Sequence, residues 1–161
     1  MLVFWGIALA LLLPFGMVLL FGAPFLPTLA NRTNDALDLL DLKPGQLLLE
    51  LGSGDGRLLE AAAKRGIRSI GYELNPLLVV YSKLRLFRYR KLAEVKMTNF
   101  WNITLPRSQG IYVFLLQPYM QKLHNKIVQE SNTSVKLVSF AFVVPGKTPI
   151  KELNGMRLYK Y

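Results

Sequence analysis

The chain has 161 residues, with 20 lysines and arginines against 10 acids, for a formal net charge of +10. That length suits one domain, or a smaller domain with an appendage. Cysteine is absent, which excludes a disulfide framework, a thiol nucleophile and thiolate-bound zinc or iron–sulfur.

The charge is unevenly placed, because residues 1–31 contain no Asp, Glu, Lys, Arg or His. Residues 2–21 read LVFWGIALALLLPFGMVLLF. As a helix rising about 1.5 Å per residue they reach about 30 Å, the hydrocarbon thickness of a bilayer. Pro14 and Gly16 would kink such a helix without forbidding it in a membrane. A cleaved signal peptide would want a basic leading region and a shorter apolar core, although Thr28-Leu29-Ala30 loosely resembles a cleavage site. A helix packed on the core of a small soluble domain is disfavoured because this run is apolar on every face. The expectation is an uncleaved, single-pass N-terminal transmembrane helix. Arg32 and Lys43 on its C-terminal side then place the rest in the cytoplasm, or in the matrix for a mitochondrial protein.

Residues 22–28 form a proline-rich elbow, stiff rather than floppy. The expected organisation is therefore an anchor and elbow over 1–31 and a folded domain over 32–161. In that domain residues 34–40 have helical spacing, with Thr33 or Asn34 as N-cap. Residues 43–46 make a turn. Residues 47–51 read as a buried strand and 56–65 as an alanine-rich helix stopped by Gly66. A second strand covers 68–73. Asn75-Pro76 then caps and opens a helix expected to run to about residue 92. Strands follow at 94–98 and 111–116, a helix at about 120–129, and strands at 135–143 and 156–161. Alternating apolar strands and helices predict a mostly parallel α/β sheet covered on both faces. The connections over 102–109 and 145–154 are too short or too broken for full helices, so the fold is a trimmed one.

Between the first strand and the next helix the chain reads LELGSGDGR over 49–57. Glycines at a strand's carboxyl end and a helix start mark the place where open α/β sheets bind ligands. A nucleoside triphosphate would want lysine and a hydroxyl residue after the last glycine, where Arg57-Leu58 stands. A dinucleotide would want G-x-G-x-x-G, whereas the spacing is G-x-G-x-G, and Asp55 and Glu50 would repel a phosphate. A cationic ligand without phosphate fits better. S-adenosylmethionine, with its ammonium, sulfonium and ribose, is one. Glu73 ends the second strand nineteen residues after Gly54, where an acid can accept ribose hydroxyls.

On these residues the chain resembles the class I, seven-strand, S-adenosylmethionine-dependent methyltransferases, a Rossmann-like fold. More narrowly it resembles the small membrane-associated lysine methyltransferases that modify the ATP synthase c-subunit and the adenine nucleotide translocase. The likeness runs through PFLPT at 24–28, ELGSGDGR at 50–57, GYELNP at 71–76, TNFW at 98–101 and QP at 117–118. It implies that Glu50, Gly52, Ser53, Gly54 and Gly56 wall the cofactor's methionine end and that Glu73 holds its ribose. It also implies that Asn99 and Phe100 meet the adenine, although the narrower group more often has Asp where Asn99 stands. Acceptor-side candidates are Gln117, Pro118, Tyr119 and Trp101, and no catalytic base is assigned.

Methyl transfer is an in-line displacement from an activated leaving group, so neither a metal nor a covalent nucleophile is needed. A lysine acceptor must be neutral, and an apolar pocket favours that form. His124, the only histidine, reads as a surface or capping residue. The basic run over 83–91 scatters around its helix and suits contact with anionic lipid heads or plain solvation better than nucleic acid. The implied partners are a membrane and a protein substrate. A methyltransferase for a lipid or small molecule, or an inactive cofactor-binding module, are the competing readings.

Overall fold

The computed structural model describes Trp5 and residues 30–130 and 134–161. The expected membrane helix and the elbow, Trp5 apart, lie outside the described residues. Among the described residues no helix is long and apolar enough to cross a membrane.

Residues 30–130 and 134–161 hold four α-helices and seven strands. They are α1 (Ala30–Leu40), β1 (Leu47–Leu51), α2 (Arg57–Lys64), β2 (Arg68–Glu73), α3 (Pro76–Leu86), β3 (Ala93–Met97), β4 (Gly110–Val113), α4 (Gln117–Glu130), β5 (Lys136–Phe140), β6 (Lys151–Leu153) and β7 (Met156–Lys160). Short 3₁₀ turns sit at Phe87–Tyr89 and Phe100–Asn102. The strands form one sheet in the order β3-β2-β1-β4-β5-β7-β6. β1 to β5 are parallel, and β7 runs antiparallel to both β5 and β6. The mostly parallel sheet expected from the alternation is therefore present, with one strand reversed.

Side chains alternate between two cores, as the strand period requires. Leu48, Tyr112, Val138 and Leu158 face α1 and α2, while Leu49, Leu51, Ile111, Val113, Leu137 and Tyr159 face α4. α3 packs on β3 beside α2 through Val79, Leu86, Ala93 and Val95. One face thus carries three helices and the other only α4. Where a helix between β3 and β4 would lie, Phe100 and Leu105 fill the core from an irregular segment. That segment is stapled to α4: Lys126 Nζ donates to the Ile103 carbonyl at 2.6 Å, and Glu130 accepts the Leu105 amide at 2.9 Å. Two side chains of one helix thus replace part of the backbone pairing that a missing helix would have supplied.

Several element bounds differ from those expected; β4 ends at Val113 and β5 at Phe140, each three residues early. α1 begins at Ala30, so Thr33 and Asn34 lie inside the helix and neither caps it. Asn34 instead accepts the Arg65 guanidinium at 3.0 Å. α3 stops at Leu86 rather than near 92, because the chain must reverse into β3 at Ala93. It does so through the 3₁₀ turn, closed by the Leu92 amide on the Tyr89 carbonyl at 2.8 Å. α4 opens at Gln117, three residues earlier than expected, with Pro118 in the first turn where its missing N–H costs nothing. The stretch after Pro145 forms no helix, as expected, but it does hold a strand, β6, in a hairpin with β7. Its turn is Asn154-Gly155, both at positive φ (51° and 81°). This is the dipeptide that two-residue hairpin turns favour.

Candidate cofactor site

β1 delivers the chain into the glycine turn at the carboxyl edge of the sheet. Gly52, Gly54 and Gly56 all have left-handed backbones, with φ of 87°, 53° and 75°. The amides of Gly52 and Ser53 both donate to the Tyr72 carbonyl at 2.9 Å, so the turn folds over the end of β2. Two of the three glycines differ in what they spare. A Cβ on Gly52 would meet nothing within 4 Å, so this position opens onto free space. A Cβ on Gly56 would come within 2.9 Å of Ser82 Oγ, which itself donates to the Gly54 carbonyl at 2.8 Å. Gly56 is therefore bare for the sake of α3 packing, and Gly52 faces the site.

Three acids converge on this turn, each with a different environment. Glu73 is buried, and its carboxylate accepts the Gly54 amide through Oε2 and the Leu74 and Asn75 amides through Oε1, each at 2.8 Å. A carboxylate has about four acceptor positions, so one on Oε2 stays open. Glu73 thus keeps acceptor capacity for a ribose hydroxyl after its three amide bonds.

Asp55 is also buried, but it is gripped by Arg57, at 2.6 Å, and by Arg85 of α3, at 3.2 Å. Burial pushes its carboxyl up, and the two guanidiniums outweigh that, leaving it below the usual carboxylate range. Its charge is largely matched by these two guanidiniums, which leaves Glu50 as the acid without a cation of its own.

Glu50 is the opposite case. It shares the α2-facing parity of Leu48, is 6% exposed, and its Oε2 has no hydrogen-bond partner. Burial raises its carboxyl well above the usual range, and the charges of Asp55 and Glu73 add to that shift. An orphaned carboxylate oxygen beside an open glycine is a receptor for a cation. Two more buried groups at this edge lack partners, Ser53 Oγ and Asn75 Nδ2. From the sequence Asn75 is legible only as the α3 cap, a role its Oδ1 performs on the Leu77 and Leu78 amides.

The remaining candidates divide. The Thr98 amide donates to the Glu73 carbonyl at 3.1 Å, which sets the next residue, Asn99, beside the acid. Asn99 Oδ1 caps the following 3₁₀ turn by accepting the Trp101 amide at 3.0 Å. Phe100 is buried against Trp101 at 4.5 Å between ring centroids, and Trp101 lies 6.5 Å from Tyr119. Gln117 exchanges two hydrogen bonds with the backbone of Val143, each at 3.0 Å, and so ties the start of α4 to the loop after β5. Pro118, next to it, is exposed. Phe114, just past β4, meets Phe140 at 4.9 Å and Phe142 at 6.2 Å, an aromatic group that spacing alone did not reveal. His124 stands apart from all of these, with Nδ1 3.0 Å from the Tyr161 hydroxyl.

The residues present fit S-adenosylmethionine: an open glycine, an unpartnered buried carboxylate, a free hydroxyl and a free amide donor share one edge. That edge, on a seven-strand sheet in the order 3-2-1-4-5-7-6 with β7 reversed, defines a class I S-adenosylmethionine-dependent methyltransferase domain. The chain belongs to the ANTKMT methyltransferase domain family, which it matches over residues 50–151. It is 32% identical to the ATP synthase c-subunit lysine N-methyltransferase of Homo sapiens over 128 residues, covering 78% of this chain and 54% of that protein. It is 34% identical to the adenine nucleotide translocase lysine N-methyltransferase of Mus musculus over 130 residues, covering 79% and 56%. The chain thus spans about half the length of these curated relatives. Among solved structures it superposes on an RNA methyltransferase from Salinibacter ruber in complex with S-adenosyl-L-homocysteine. There the TM-score is 0.77 and the identity 26%, covering 84% of this chain and 92% of that one.

Proposed function

We propose that this chain is a protein-lysine N-methyltransferase held at a membrane by its N-terminal segment. The unpartnered, buried Glu50 carboxylate beside the open face of Gly52 carries the cofactor part of the reading, and the lysine methyltransferases among the relatives support the acceptor. Bound there, S-adenosylmethionine supplies a methyl group on a sulfonium carbon. Glu50 meets the ammonium end, with Gly52, Ser53, Gly54 and Gly56 forming the wall and Asn75 Nδ2 offering a donor. The open position of Glu73 Oε2 accepts a ribose hydroxyl. Asn99 and Phe100 border the adenine.

On the acceptor side, Trp101, Tyr119, Gln117 and Pro118 line the approach, with Phe114 and Phe142 beyond. Their work is to strip water from the incoming amine and aim its lone pair. An apolar, aromatic surround lowers the pKa of a lysine and so raises the neutral, reactive fraction. No residue of the chain is asked to remove a proton during transfer. A substrate lysine in a membrane protein agrees with the names of the relatives and with the uncharged run over residues 2–21, which we read as a single-pass anchor.

A second reading has an observation of its own. The Salinibacter ruber protein matched over nearly its whole length is an RNA methyltransferase, and the +10 charge suits a polyanion. One experiment separates the substrates. The purified full-length chain is given methyl-labelled S-adenosylmethionine and membrane extract, and the label is followed after protease, ribonuclease or organic extraction. Protease-sensitive label recovered as methyl-lysine supports the proposal. Ribonuclease-sensitive or extractable label transfers the function to RNA or lipid, and the absence of turnover leaves a cofactor-binding module.

A further inference from the structure

α3 has an outward face that nothing among the described residues covers. Leu77, Val80, Tyr81 and Leu84 recur at helical spacing along it, Phe87 of the following 3₁₀ turn extends the row, and all five are between 43% and 72% exposed. A soluble surface rarely strings five large apolar side chains in one row without a use for them. The row is bordered by cations. Lys83 lies one turn after Val80, Arg88 one turn after Leu84, and the Arg90 guanidinium sits over the Phe87 ring at 4.9 Å. Lys91 follows in the same turn. Between Glu73 and Glu94 the chain has five basic residues and no acid.

We propose that this face docks on an anionic lipid bilayer. A protein groove could take the apolar row. However, the surface is a convex helix flank rimmed by Lys83, Arg88, Arg90 and Lys91, the complement of a sheet of lipid phosphates, while Arg85 is already paired with Asp55 and Glu60. Long basic side chains lay their stems along the apolar row and hold their charges at headgroup depth. Apolar burial and cationic attraction together give the two signals that stable interfacial binding needs.

The placement has a consequence for the site. α3 leaves β2 at Glu73 and runs back along the sheet, so its Leu77 end lies next to the glycine turn. With the row on the bilayer, the cofactor edge opens sideways at headgroup level, where a lysine just outside the hydrocarbon could enter. This deepens the membrane part of the proposed function, but it rests on α3 alone and not on the anchor or on methyl transfer.

The absence of cysteine makes the test direct. Full-length Leu84→Cys carries one environment-sensitive fluorophore, and Val128→Cys, on the exposed flank of α4, serves as the reference. Vesicles are made of phosphatidylcholine with or without phosphatidylglycerol, and with spin-labelled acyl chains for quenching. Blue-shifted, quenched emission at residue 84 and not at 128, on the anionic vesicles, supports docking. Replacing Lys83, Arg88, Arg90 and Lys91 by glutamine should then raise the lipid needed for half-maximal shift about tenfold or more. An aqueous spectrum at residue 84 in vesicle-bound protein overturns the proposal, even if residues 2–21 hold the membrane. A blue shift without lipid also overturns it: the face is then covered by the chain's own N-terminus or, if concentration-dependent, by a second copy. Each labelled protein is first checked for S-adenosyl-L-homocysteine binding, whose failure in the unlabelled wild type would count against the cofactor site and not against this surface.

Discussion

Glu73 and Gly54 are joined by a hydrogen bond of 2.8 Å from the glycine amide to Oε2, while the same carboxylate's Oε1 accepts two amides of its own loop. The acid is therefore a structural clamp before it is a ligand for anything. Glu73→Ala would leave three backbone donors without a partner in a buried place, at about 1–3 kcal/mol each if water cannot reach them. Glu73→Gln keeps one carbonyl acceptor for the Leu74 and Asn75 amides but sets an NH₂ donor against the Gly54 amide, and should cost about 2 kcal/mol. Urea unfolding of the cofactor-free protein measures this directly. Stability equal to wild type in Glu73→Gln would mean that the clamp is not what holds the turn.

Glu50 makes a prediction of opposite sign. Its carboxyl is raised by burial first and by Asp55 and Glu73 next. A carboxyl raised on folding binds its proton more tightly in the folded state. Its contribution is thus most favourable below the ordinary carboxylate range and is lost as pH rises toward the folded value. Glu50→Gln should therefore raise the melting temperature of the cofactor-free protein at neutral pH, while weakening cofactor binding about tenfold or more. The ligand's cation favours the ionised form, so binding should expel a proton and strengthen with pH until Glu50 is already ionised. Calorimetry in two buffers of different ionisation enthalpy reads that proton. Equal apparent enthalpies would remove Glu50 from the site.

The sequence disclosed the parts of this site that are local and left out those that need two distant elements to meet. β1, β2 and the Asn75 cap lie where hydrophobic runs, glycine and proline put them, because each is decided within a few residues. The end of α3 was not legible, since only the need to reach β3 stops the helix there. Arg85 reads as one charge among many in a basic run, yet it crosses to Asp55, thirty residues back. That pairing changes what Asp55 can do, and no spacing rule announces it. β6 was missed for another reason: residues 145–154 are polar and short, although Asn154-Gly155 was a hairpin signal in plain view.

Gly71 shows a constraint invisible to backbone arguments. It lies in mid-strand, and a Cβ there would come within 2.6 Å of both Ser53 Cβ and Leu59 Cδ1. Leu59 can shift, but Ser53 is fixed by its amide on Tyr72. Gly71→Ala should thus push the glycine turn off β2, costing about 1–3 kcal/mol as overpacking and lowering cofactor affinity as well. Gly56→Ala, strained by its φ of 75° and by Ser82 Oγ at 2.9 Å, should behave similarly. The double change Gly56→Ala with Ser82→Ala relieves only the clash. If calorimetry and melting find Gly71→Ala indistinguishable from wild type, the turn is not packed against β2 through Ser53.

His124 is the residue that chemical habit would nominate as a base, and the topology argues against it. Its Nδ1 partner is the hydroxyl of Tyr161, whose backbone exchanges hydrogen bonds with Val135 at 3.1 and 2.9 Å. Val135 immediately precedes β5, so this pair marks the amino edge of the parallel strands, across the sheet from the glycine turn. Burial, with Tyr159 as a lesser cause, raises the Tyr161 hydroxyl, so it stays protonated and available to the imidazole at neutral pH. Lys147 over the same ring at 4.3 Å completes a structural cluster. His124→Phe removes one half-exposed hydrogen bond, worth about 1 kcal/mol or less. It should leave kcat/KM and its pH profile within about twofold of wild type, a shift of some 0.4 kcal/mol in the barrier. A loss of a hundredfold or more, or the disappearance of an ionisation from the profile, would bring the histidine into the chemistry and require a different placement of the acceptor.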